Sequence, residues 1–139
     1  MNNIELPVEF LFGLTLPGFA KSQHEFSTAW GRRRLTRGSG GYFKGPRVEG
    51  EVIGGLANDW GAATDEGLIG IDAQMVLRTT DGTPIFMTYL GRIGADGRMR
   101  IAPLFEVSDG PHVWLTQVQA VGLGNTQGED LHVDVYALK

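Results

Sequence analysis

The 139-residue sequence contains no cysteine. Disulfides, thiol nucleophiles and thiolate-held metals are therefore excluded, and a cytoplasmic location is expected. Histidine is nearly as scarce. His24, His112 and His132 form no His-x-His or His-x-x-x-His pair. The nearest approach to a ligand set is His132-x-Asp134, which a polar strand face explains equally well, so no metal is expected. Positive charge is also short. Twelve Lys and Arg stand against 16 Asp and Glu, a net charge of −4. That balance argues against nucleic acid as a partner, because phosphate binding needs a basic surface. One local exception is Arg32-Arg33-Arg34 with Arg37. It reads either as a solvated strand edge that discourages edge pairing or as a site for a phosphate or carboxylate.

Long apolar runs are missing too. The start, "MNNIELPVEFLFGLTLPGFA", has no basic residue before its apolar stretch, and Glu9, Gly13 and Pro17 interrupt it. It reads as a first strand, not as a signal peptide or a membrane span. The serines (Ser22, Ser27, Ser39 and Ser108) sit in no Gly-x-Ser-x-Gly elbow. "GSGG" at 38–41 and "GLGN" at 122–125 lack the strand-to-helix context of a phosphate loop and read as turns.

Glycine is what the chain has in plenty, 21 residues without a collagen period. Scattered glycine among β-branched and aromatic residues implies many turns and many short strands. Apolar and alternating stretches separated by Pro17-Gly18, 38–41, Asp81-Gly82, 94–98, 108–111 and 122–130 give eight to ten strands. No strand–helix–strand alternation and no internal repeat is visible. Residues 20–27 are the most helix-tolerant segment, and 112–121 is expected to be a strand. The expected fold is all-β: one antiparallel meander β-barrel over residues 1–139, with at most one short helix. A two-sheet sandwich is the alternative.

The firmest element is the hairpin of Leu68 to Thr80 and Thr83 to Ile93 around Asp81-Gly82. A two-residue turn there would set Arg78 opposite Ile85 and Gln74 opposite Tyr89. Ile71, Ala73, Met75 and Leu77 would then share a face with Phe86, Thr88 and Leu90.

Carboxylates are the chemically interesting group. Asp65, Glu66 and Asp81 are explained by turns. Asp72 sits inside a strand, where Asp is disfavoured. Facing the interior it would be a general acid or base with a raised pKa, and facing outward it would be merely solvated. Asp59-Trp60 reads either as a carboxylate beside an indole that packs on a ligand or as a tryptophan plugging the barrel. Trp114 is expected on a strand face with His112 and Thr116. Arg100 and Glu106 share a strand face by parity, as a buried ion pair or as a ligand-carboxylate contact.

The stretches "KGPRVEGEVIGG", "DW", "IDAQMVLRTTDGTPI", "PLFEVSDGPHVWL" and "AVG" together resemble the bacterial family catalogued as domain of unknown function 3237. The resemblance runs from about Gly45 to Tyr136. It implies a small calycin-like antiparallel barrel, commonly oligomeric, with no settled activity. The family's marked positions fall on Gly54, Gly55, Asp59, Trp60, Asp72, Ala73, Asp81, Gly82, Phe105, Glu106, Trp114 and Leu115. Gln74 stands where the family often has Arg, and "LAN" lengthens the spacing between the glycine pair and Asp59. If that Arg binds an anionic ligand in the family, this chain would use Arg92 or Arg100 instead, or take a more neutral ligand.

The functional expectation is an enzyme that needs no cofactor and acts by acid–base chemistry, of isomerase, cyclase, hydratase or lyase type, on a small cyclic or aromatic metabolite bound in the barrel. Asp59 and Asp72 are the proposed proton carriers. Trp60, Gln74, Tyr89, Arg92, Arg100, Glu106 and Trp114 are the proposed substrate contacts. The alternatives are a noncatalytic barrel that carries or senses a small molecule and an assembly module using Phe10, Phe12 and Leu14. No membrane partner is expected, and a homo-oligomer is.

Overall fold

The computed structural model describes residues 2–139. Ten strands follow in order: β1 (Val8–Leu16), β2 (Gln23–Thr28), β3 (Gly31–Gly38), β4 (Gly41–Lys44), β5 (Glu49–Ala63), β6 (Ile69–Thr79), β7 (Pro84–Ile93), β8 (Met99–Val107), β9 (Ala120–Gln127) and β10 (Asp130–Leu138). Every pairing is antiparallel. Strands β4 to β10 pair each with the next, β10 pairs β1 and β1 pairs β4. Eight strands thus close an up-and-down barrel, as the alternating sequence indicates.

The β2–β3 hairpin leaves this barrel as a flap. It is inserted between β1 and β4 and continues the wall beyond one end. The near half of β5 pairs β4 through Glu49–Val52, and its far half pairs β3 through Ala57–Ala63. A bend at 53–56 separates the halves, and the glycine pair explains it. A Cβ on Gly54 would stand 2.5 Å from the Ser39 carbonyl oxygen, and Gly55 has φ +83°, a conformation other residues rarely adopt. Among the described strands only β2 keeps a free edge. β3, which carries the arginine run, is enclosed by β2 and β5, so the run is not a strand edge.

Alternation along the strands builds the interior. Ile69, Ile71, Ala73, Met75 and Leu77 of β6 point inward with Ile85, Met87 and Tyr89 of β7. The register is Arg78 opposite Pro84, Met75 opposite Met87 and Ala73 opposite Tyr89. It differs by one residue from the register a two-residue turn would give. The loop has three residues, Thr80-Asp81-Gly82, with Gly82 at φ +88° and its N–H donating to the Thr79 carbonyl. This is a turn with one additional left-handed glycine. Because side chains alternate, the one-residue difference moves Ile85, Met87 and Tyr89 to the inner face and Phe86, Thr88 and Leu90 to the outer.

Phe12, Phe43, Leu11, Leu14, Leu16, Leu77, Ile85, Met87, Val133 and Val135 are fully buried and fill the lumen. Phe12 meets Phe43 and Phe105 edge to face at centroid distances of 5.2 and 6.0 Å. A small barrel lined with large side chains has little room for a ligand, so the expectation of a metabolite inside the lumen is corrected. Both expected helix and strand assignments outside the barrel also change. Residues 20–27 form a 3-10 turn (Phe19–Ser22) followed by β2, since six polar-rich residues gain more from pairing with β3 than from an isolated helix. Residues 112–121 begin as a 3-10 turn (Val113–Gln117) whose fully buried Leu115 stoppers the barrel end away from the flap.

Candidate active site

The flap end assembles the chemistry. Thr36, Asp59, Ala73, Tyr89 and Pro103 form one inward cross-strand row over β3, β5, β6, β7 and β8. The β5–β6 pairing runs up to Asp59–Ala73 and resumes at Ala62–Gly70, with a gap between. In that gap the Asp72 N–H donates to Asp59 Oδ1 at 3.0 Å, and Arg33 Nη2 donates to the Trp60 carbonyl. Side chains therefore replace ladder bonds where β5 and β6 part.

Asp59 is partly buried, and burial pushes its carboxyl above the ordinary carboxylate range. The Asp72 N–H and the charges of Arg34 and Arg33 oppose that rise, and the Asp72 charge adds to it. Behind Asp59, the fully buried Tyr89 has its phenol pushed up by burial and then by the Asp59 charge. The next inward cation, Arg34, is held loosely by Glu25 at 3.9 Å, and Glu25 also pairs Arg32 at 3.0 Å.

Trp60 points outward and is 54% exposed, so it does not plug the barrel. Two concavities meet at it. One, of about 310 Å³, is bordered by His24, Leu35, Arg37, Asn58, Asp59 and Trp60. The other, of about 490 Å³, lies over the gap between β5 and β6 and is bordered by Arg33, Trp60, Ile71, Asp72, Leu90 and Arg92. Asp59 and Asp72 thus border different hollows. Asp72 is exposed on the outer face because Ile71 and Ala73 take the inner one, which corrects the reading of an interior carboxylate.

The remaining expected residues separate. Arg92 and Tyr89 lie near Asp59 and Trp60, on opposite faces of β7. Gln74 is exposed on the outer wall, opposite Asn58 and Thr88. Arg100 is exposed and pairs with Asp96 at 2.7 Å, which holds the Asp96 carboxyl down at about 2. Glu106 also points outward, so parity holds but no buried Arg100–Glu106 pair forms. Trp114 sits at the opposite end under the Arg47 guanidinium, 3.7 Å from the ring centroid. His132 and Asp134 bond to each other at 3.1 Å, with Thr15 on the other ring nitrogen. Sequence reasoning missed His24, Arg33, Asn58 and Leu90 as neighbours of Trp60, and Arg34 as a charge acting on Asp59. The pairing of β3 with β5 brings His24 and Arg33 there, the pairing of β6 with β7 brings Leu90, and Asn58 lies two residues away on β5 itself; the arginine run was the available signal for Arg33.

Comparison with known proteins agrees with this architecture. The hydroalkoxylation enzyme phnH of Penicillium herquei is 32% identical over 118 residues, spanning 83% of this chain and 72% of that protein. A crystallised β-barrel-like protein from Acinetobacter baumannii AYE shares 26% identity, with a TM-score of 0.86 over 99% of both chains. A crystallised enzyme from Penicillium herquei shares the fold, at 24% identity and a TM-score of 0.77, over 100% of this chain and 98% of that one. The profile of the protein family of unknown function designated DUF3237 matches residues 7–138, nearly the whole sequence, and the chain belongs to that family.

Proposed function

We propose that the chain is an enzyme that adds an O–H group across a carbon–carbon double bond of a small apolar or aromatic molecule, with Asp59 carrying the proton. The observation that carries this reading is Asp59 itself, a residue that borders a mostly apolar hollow together with Trp60 and whose partly buried carboxyl has a raised pKa. The name of the Penicillium herquei relative supports the reaction type.

Hydroalkoxylation breaks one O–H bond and one π bond and makes one C–O and one C–H bond. No electrons are gained or lost. The protonated Asp59 delivers its proton to an alkene carbon. Trp60, which borders the same hollow, packs on the apolar body of the substrate. The hydroxyl oxygen attacks the neighbouring alkene carbon, and its proton returns to the Asp59 carboxylate. Burial favours the protonated form at the start, which is what a general acid at moderate pH needs. Where the hydroxyl and alkene share one molecule, the product is a cyclic ether and the reaction is a cyclisation. The filled lumen counts against a carrier that encloses its ligand.

The test is incubation with phenols that carry an ortho alkenyl chain, in deuterated water, followed by mass spectrometry. The expected product is isomeric with the substrate apart from one deuterium fixed on carbon, and Asp59→Asn forms it at least about a hundredfold more slowly. Absence of product across the panel, or equal product from Asp59→Asn, overturns the proposal.

A further inference from the structure

Seven of the twelve lysines and arginines stand within 4.0 Å of a carboxylate. Among the described residues Arg33, Arg37, Lys44, Arg92 and Arg98 do not. Three of these five border the hollows that meet at Trp60. In a chain with excess acid, that gathers at one place on the wall three cations that no carboxylate contacts, with Asp59 and Asp72 near enough to act on them only at longer range.

Register makes the placement specific. Arg33, Ala62, Gly70 and Arg92 form one outward row across β3, β5, β6 and β7. Three strand spacings of roughly 4.8 Å put the two arginine backbones about 14 Å apart. Between them the floor carries a methyl group and a hydrogen. The Arg92 head leans over this floor, and the Arg33 head is tethered at its margin. Arg92 Nη1 lies 3.8 Å from where a Cβ on Gly70 would stand, and it donates to the Gly91 carbonyl at 2.8 Å. Arg33 reaches the Trp60 carbonyl in the gap between the strands. Each head keeps further N–H groups, since a guanidinium has five. The neighbouring row supplies Trp60 and the 63% exposed Leu90, with Asp72 between them. At about 490 Å³ the hollow takes a bicyclic arene.

We propose that this slot binds an aryl carboxylate. The carboxylate lies over Ala62 and Gly70 between Arg33 and Arg92, and the ring lies along Trp60 and Leu90. Charge-assisted bonds from two guanidinium groups hold the anion. Asp72 stands beside the ring and weakens the attraction, so its neutralisation strengthens binding. The slot is distinct from the hollow that Asp59 borders, and its ligand binding does not depend on the acid–base reading.

The experiment titrates the protein with 2-naphthoate and with neutral 2-naphthalenemethanol, by calorimetry and by NMR of the indole N–H signals. The acid is expected to bind about tenfold more tightly than the alcohol or better, with the Trp60 signal shifted. Arg92→Gln removes one clamp, and Gly70→Leu fills the floor without changing any charge. Each is expected to lose about tenfold in affinity for the acid, whereas Asp72→Asn gains severalfold. Equal binding of acid and alcohol overturns the proposal. So does absence of binding at millimolar concentration, or parent-like affinity in both Arg92→Gln and Gly70→Leu.

Discussion

Replacing Asp59 with Asn should separate activity from stability. The amide keeps an oxygen that can accept the Asp72 N–H, so the contact across the β5–β6 gap survives. It removes a carboxylate whose ionisation burial disfavours. The folded pKa lies above the unfolded one, so the ionised group destabilises the fold at pH above its folded pKa. That destabilisation is relieved as pH falls through the folded pKa toward the unfolded value. Asp59→Asn should therefore melt at or above the parent temperature in mildly alkaline buffer, and the gap should close on acidification. Asp59→Ala also loses the acceptor. Its N–H partner can reach water, so the loss is at the low end, about 1 kcal/mol, or about 4 °C for a chain of this length. Both variants should lose about 10²- to 10⁴-fold in turnover, the usual contribution of a positioned proton carrier. The assay is deuterium-labelled cyclic ether formation beside calorimetric melting across pH. Parent-like turnover in Asp59→Asn would refute the proton-carrier role. Melting of the Asn variant as low as that of the Ala variant would refute the account of the gap.

Trp60→Ala should weaken substrate binding in the Asp59 hollow with little change in melting, because the indole is more than half exposed; Michaelis constants measured with Trp60→Phe as the conservative control check this. Gly82→Ala forces a methyl group onto φ +88° and should cost about 1 kcal/mol, read as a drop of about 4 °C in melting temperature. Asp81 accepts bonds from Thr79, Thr83 and His112, which hold its carboxyl well below the ordinary range. Its stabilising contribution is present above the unfolded pKa and fades as pH falls through the folded one, so Asp81→Asn should flatten the acid limb of the stability curve. The flap exposes the free edge of β2, Phe26 and a fully exposed Trp30, and we expect it to carry self-association. Light scattering should give a mass above the monomer's 15.1 kDa, reduced in a Phe26→Glu, Trp30→Glu double variant; a monomeric parent would contradict this.

The architecture was legible because its signals are local. Alternation from Ile69 to Thr79 names the inner face of β6 without any knowledge of its neighbours. Glycine-bearing turns mark where most strands end. The closed meander follows, since each strand finds its partner next in sequence. The β2–β3 flap was less legible, because its pairing to the far half of β5 depends on the bend at Gly54 and Gly55. That bend is set by the close approach of Ser39, which no local pattern announces.

The site was legible only in part, and the hairpin shows why. Whether Asp81-Gly82 closes a two- or a three-residue loop decides which face of β7 meets the inner face of β6. The two loops differ by one left-handed residue, a distinction the dipeptide does not carry. With the observed register, Tyr89 stands behind Asp59 and Leu90 stands beside Asp72, the reverse of the expected faces. Asp59 and Trp60 could be named as candidates because residue type alone marks them. The arginine row was not, because Arg33 and Arg92 are 59 positions apart in sequence and meet only through two intervening strands. Their shared property, positive charge without a carboxylate partner, is defined by what surrounds them. A functional surface of this kind becomes visible only once every strand's register is fixed.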